Sequence, residues 1–131
     1  MAAIPEKYLD LLEQKKAFAH LATVQPDGSP QVTPVWFDYA DGKVRVNVAK
    51  GRVKVRNMKE GAPVALSILD PDNAYRYVQV RGHVTRVTED GARAHMDGLS
   101  HKYFGKDYPW FREGEVRLMF EIEPASVQGI D

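Results

Sequence analysis

The stretch FAHLATVQPDGSPQVTPVWFDYADGKVRVNV, residues 18–48, decides the fold. It reads as three extended runs separated by two turns. Residues 18–24 form the first run. Pro26-Asp27-Gly28-Ser29-Pro30 follows, a cluster of turn formers with Asp-Gly at its centre. The second run covers residues 31–39, and Asp41-Gly42 marks another tight turn. Residues 43–48 then alternate cleanly, with Val44, Val46 and Val48 on one face and Lys43, Arg45 and Asn47 on the other. Turns this short join antiparallel neighbours. Pro34 lies inside the second run and has no N–H for a ladder, so pairing opens there, as at an edge or a bulge.

Beyond this stretch comes Lys50-Gly51-Arg52-Val53-Lys54-Val55-Arg56, with four cations and no acid. It sits where the third run hands over to a helix expected to reach about residue 59. Free N–H groups at a helix start carry partial positive charge, and added Lys and Arg make a site for a phosphate or polycarboxylate. Cations there oppose the helix dipole by roughly 0.3–1 kcal/mol each, which an anion would offset. Gly51 lets the backbone approach a ligand closely. The competing reading is a solvated, charged helix face. The spacing is not that of a P-loop.

Further along, residues 64–69 are almost wholly apolar and read as a strand buried on both faces. Residues 75–88 form a long strand interrupted by Gly82, which suits a bulge or a barrel corner. Residues 91–104 have helical spacing, 105–114 are an aromatic-rich loop, and 116–122 are the last strand. At the other end, residues 5–16 read as a helix, with Pro5 in its first turn. About six short strands and three helices with a glycine corner predict a small antiparallel barrel, closed to remove its edges.

The chain has 131 residues, 18 basic and 18 acidic side chains, and 44% hydrophobic residues, the profile of one soluble domain over residues 1–131. Balanced charge argues against a nucleic-acid surface. No apolar run approaches a membrane span and the first ten residues lack a signal-peptide pattern, so a soluble cytoplasmic protein is expected. Without cysteine there is no disulfide, thiolate chemistry or Cys-based metal site. His20, His83, His95 and His101 show no metal-ligand spacing and read as packing or surface residues. Glu121 and Glu123 share a strand face, which is thin evidence for acid–base work. Tyr75, Tyr77, Gln79 and Arg81 fall on one strand face that suits an interface or a planar ligand, or an ordinary solvated sheet.

The order of these pieces resembles a known family. Residues 18–24 and 27–37 are similar to the opening of the pyridoxamine 5′-phosphate oxidase-like split β-barrels. Residues 46–57, 64–68, 77–82 and 108–110 are similar to the branch that binds the deazaflavin coenzyme F420. The resemblance implies a mainly β fold, a six-stranded antiparallel split β-barrel of the FMN-binding type with flanking helices. It implies a homodimer holding two cofactors at its interface. Lys50, Arg52 and Lys54 match phosphate-binding positions, with Val53 among them; Thr33, Pro34 and Val35 would line the ring, with Asn47, Val48 and Ala49 nearby. Tyr77, Gln79 and Trp110 would approach from the second subunit, and Arg56 or Lys59 would serve the cofactor's anionic tail. The implied activity is hydride transfer from reduced F420 to an electron-poor small molecule, with no catalytic side chain and no metal. The alternatives are an FMN-dependent enzyme of the same fold, or a carrier that binds the cofactor without turnover.

Overall fold

The run expected as one strand over residues 31–39 bends at Trp36 in the computed structural model, which describes residues 2–130. Its halves are β2 (Pro30–Val35) and β3 (Phe37–Ala40). The other strands are β1 (Ala19–Val24), β4 (Lys43–Ala49), β5 (Pro63–Leu69), β6 (Tyr77–Thr88) and β7 (Arg117–Ile130). Every pair is antiparallel, in the order β2-β1-β5-β6-β7-β4-β3. The two ends of that order are consecutive in the chain. The bent strand pairs with β1 through Val35↔Ala19 and resumes with β4 through Phe37↔Val46, which closes a ring. Counting the bent strand once gives the six expected strands; counting its halves gives seven.

Alternating side chains fill the ring. Leu21, Val46, Leu66, Val80, Phe120 and Ile122 are at most 1% exposed. Each such side chain contributes roughly 1.5–3 kcal/mol through burial. The N-terminal helix is shorter than expected: a 3-10 turn, Glu6–Tyr8, leads into α1 (Leu9–Glu13). It covers one end of the core with Tyr8, Leu11 and Leu12. Arg76 holds it down through Asp10 at 2.7 Å and Asp70 at 2.9 Å, and Lys15 reaches Asp70 at 2.8 Å.

Two further expectations need correction. The cationic helix, α2 (Val53–Arg56), has four residues and stops well short of residue 59, too short to sum a useful dipole. Strand β5 is buried on one face only: Val64, Leu66 and Ile68 point inward, whereas Ser67 and Leu69 are exposed. Its outer face carries Ala65 and Leu69, apolar residues that pass for core in a linear reading.

The glycine corner is confirmed. Register shifts between Arg81 and Gly82, where a Cβ would lie 2.0 Å from the Glu123 carbonyl oxygen. Helix α3 (Ala92–Phe104) lies over β4 and β7, burying His95, Met96 and Leu99. Among the described residues no helix is long and apolar enough to cross a membrane.

Candidate functional site

The bend at Trp36 forms one lip of a cleft of about 380 Å³. Pro34, Val35 and Trp36 make this lip, Asn47, Val48 and Ala49 of β4 the facing wall, and Arg52 and Lys54 the charged end. Helix α3 and the loop after it supply Met96, Phe104, Tyr108 and Trp110. Trp36 is fixed by stacking on Tyr103 at 5.0 Å and by edge contacts with Phe104 and Tyr108. The Tyr103 hydroxyl donates to the Ala17 carbonyl, and burial pushes its pKa up to about 12, so it stays a donor.

The cationic turn owes its position to strand pairing. Lys50 N–H donates to the Val116 carbonyl at 2.8 Å, and Gly51 takes a φ of 102°, which a side chain would resist. Lys54 then points back across the cleft and donates to Thr33 Oγ1 at 2.7 Å. Burial, then the neighbouring Arg52, lowers its pKa. Among the described residues no carboxylate pairs with Lys50, Arg52, Lys54 or Arg56. A half-buried ammonium without a counterion is destabilised relative to water, and an anion would relieve it.

The structure therefore brings Pro34, Val35, Asn47, Val48, Ala49, Arg52, Lys54 and Trp110 to one cleft, with Thr33 behind Lys54. Lys50 lines an adjoining hollow, which shares Ala49, Arg52, Tyr108, Trp110 and Arg117 with the cleft and adds Arg112. Val53 is exposed and lines neither. Trp110, expected from a second subunit, stands in the cleft of its own chain. Arg56 and Lys59 face solvent away from the cleft; Arg112 is the further cation beside it. Tyr77 and Gln79 lie elsewhere, on the outer sheet face with His20, Ala22, Val32 and Ser67.

Behind the β4 wall runs a network that single residues do not announce. Arg117, 8% exposed, donates from Nε to Asn47 Oδ1 at 2.8 Å. A guanidinium only donates, so the Asn47 amide nitrogen faces the other way, toward the Ala92 carbonyl at 2.7 Å and His95 Nδ1 at 3.1 Å. His95 Nδ1 must then accept, which places its proton on Nε2, 3.2 Å from Asp38 Oδ1. Arg45 grips Asp38 with two bonds of 2.8 and 2.7 Å. Burial pushes the Asp38 carboxyl up, but His95 and Arg45 outweigh it and hold the pKa at about 2. Asp38 thus adds stability above the ordinary aspartate range, lost as pH falls through about 2. Asp38→Asn is expected to cost about 2 kcal/mol at neutral pH. Urea unfolding at pH 7 and pH 2 checks this, since the variant and the wild type should converge at the lower pH.

Asp38, His95 and Arg117 escaped sequence reading because nothing local says that α3 covers the outer face of β4. Only the fold reveals the link, through the register that sets Arg117 opposite Ala49, two residues before the exposed Gly51 of the cationic turn.

An antiparallel barrel split at a bent strand, with unpaired cations at the end of a cleft formed by the bend, is a split β-barrel of the FMN-binding type. The chain belongs to the pyridoxamine 5′-phosphate oxidase family, whose sequence model matches residues 4–131. It is similar to a solved F420 reductase with 37% identity and a TM-score of 0.85, over 95% of this chain and 98% of that one. The resemblance to the F420-binding branch stands on that match. A conserved hypothetical protein from Mycobacterium tuberculosis is 20% identical, with a TM-score of 0.76 over 98% of this chain and 86% of that one. An FAD and heme binding protein from Mycobacterium smegmatis is also 20% identical, with a TM-score of 0.71 over 98% of this chain and 71% of that one. These two show the fold alone. No curated protein matches the chain.

Proposed function

We propose that this protein is a cytoplasmic F420-dependent oxidoreductase that passes a hydride from the reduced deazaflavin to an electron-poor small molecule. The observation that carries the reading is Lys54, a half-buried cation without a counterion at the end of a cleft. The 37% identity to an F420 reductase supports it. The lining suits a flat ring with an anionic tail: Pro34, Val35 and Val48 offer apolar surface, and Lys54 and Arg52 offer charge-assisted hydrogen bonds to a phosphate. In the adjoining hollow Lys50, Arg52, Arg112 and Arg117 outnumber Glu113 and Glu115, an excess of positive charge that favours F420, which carries anions beyond its phosphate, over FMN, which does not.

The deazaflavin, when bound, supplies the hydride. The chain's own residues bind and orient. Lys54 and Arg52 fix the phosphate, the Pro34–Trp36 lip and the Val48–Ala49 wall hold the ring between them, and Tyr108 and Trp110 screen the cleft from water. No side chain is required to move a proton in the hydride step.

The outer face around Tyr77 and Gln79 fits the second part of the reading, a homodimer. Val32 is 64% exposed there, beside Ala22 and Ala65 and rimmed by His20, Ser67, Tyr77 and Gln79, so a shallow hollow of mixed apolar and polar character lies open on one chain. In the proposed dimer, Tyr77 and Gln79 of one copy reach the cleft of the other.

Titration of the cofactor-free protein with F420 and with FMN tests the cofactor. Quenching of deazaflavin fluorescence at concentrations well below those needed for FMN is expected. Tighter binding of FMN would replace the reading with a flavin enzyme of the same fold. Oxidation of reduced F420 by a panel of electron-poor acceptors separates turnover from mere carriage.

A further inference from the structure

We infer that Arg117 is a ring-binding residue of the cleft, held on target by Asn47, His95 and Asp38 behind it; this rests on the cofactor reading above. The guanidinium lines both the cleft and the adjoining hollow, yet is only 8% exposed. It has five N–H donors and uses one of them well, the 2.8 Å bond to Asn47. Its other contacts are long: 3.4 Å to the Asn47 carbonyl, to Met96 Sδ and to Glu115 Oε1. A buried guanidinium so loosely satisfied leaves capacity for an oxygen in the cleft.

That oxygen belongs to the ring rather than to the phosphate. Lys54 and the exposed Arg52 already supply two cations without acid partners, as a phosphate requires. Arg117 differs: it is buried, and Glu115 at 3.4 Å already offsets part of its charge. Such a group suits a carbonyl edge carrying delocalised negative charge. The network behind it explains the precision. Asp38 fixes the proton on His95 Nε2, which leaves Nδ1 to accept from Asn47, which presents Oδ1 to Arg117. The Ala92 carbonyl at 2.7 Å is the other acceptor for the Asn47 amide nitrogen, so a break at His95 or Asp38 leaves one anchor of two and loosens the aim of Oδ1 at the guanidinium. His95 and Asp38 are therefore positioning residues.

The test compares two probes by fluorescence quenching: F420, and the phosphate-free deazaflavin riboside. Arg117→Met should weaken both by the same factor, about tenfold or more. Lys54→Ala should weaken F420 and leave the riboside nearly unchanged. His95→Gln should weaken both probes about threefold or more while Arg117 remains in place. His95→Asn, whose shorter amide reproduces Nδ1 as an acceptor, should recover part of the loss. Thermal melting confirms that each variant is folded; if Arg117→Met is not, Arg117→Lys and His95→Gln carry the test. A folded Arg117 variant that binds both probes as the wild type does overturns the inference, and so does a loss confined to F420. If the wild type binds neither probe, the cofactor reading itself fails, a distinct outcome.

Discussion

Replacing Arg52 and Lys54 together with alanine is expected to weaken F420 binding about a hundredfold or more, because two charge-assisted bonds to one phosphate are lost at once. The barrel should survive the change. Arg52 is exposed, and Lys54 spends one side-chain hydrogen bond on Thr33. Burial lowers the Lys54 pKa in the fold, so its charge opposes folding at neutral pH, a penalty that fades as pH rises toward the ordinary lysine value. The double variant should therefore melt no earlier than the wild type at pH 7. Affinity of the wild type should also fall with added salt more steeply than that of the variant. Equal affinity in the two proteins would remove the anion site, whatever the cofactor.

Gly82→Ala is expected to destabilise the fold by about 3 kcal/mol or more, the upper range for overpacking. The added methyl carbon would meet three backbone atoms of the neighbouring strand: Glu123 O at 2.0 Å, Glu123 C at 2.9 Å and Pro124 Cα at 3.2 Å. Backbone cannot rotate out of the way as a side chain would. Relief requires β6 and β7 to part at the shift in register that bends both strands. Urea denaturation measures the effect as a lowered midpoint. A midpoint within error of the wild type would show that the corner can reopen at little cost.

The sequence was most legible where chemistry and local geometry coincide. Pro34 announced an interrupted strand, and the interruption falls two residues later, at Trp36. Gly82 announced a corner because no other residue fits against Glu123. The cationic turn announced itself through four like charges, although its helix proved to be a single turn, so side chains rather than a helix dipole make the anion site. Less legible was anything decided by the covering of one element by another. Strand β5 reads as almost wholly apolar because Ala65 and Leu69 on its outer face look like core in a linear string. His95 reads as an ordinary packed histidine because its partners, Asp38 and Asn47, lie 57 and 48 residues away. Trp110 is placed by a loop whose path no periodicity describes, fixed through Tyr108 N–H on Asp97 at 2.9 Å and the stacking of Arg93 on Phe111 at 3.8 Å.

The bent strand has one more consequence. It serves two ladders, β1 on one side of Trp36 and β4 on the other, and so acts as the clasp of a hoop. Pro34, Val35 and Trp36 are also the lip of the cleft. Clasp and lip are thus the same three residues. Whatever lodges against them touches the joint where the hoop passes from one ladder to the other.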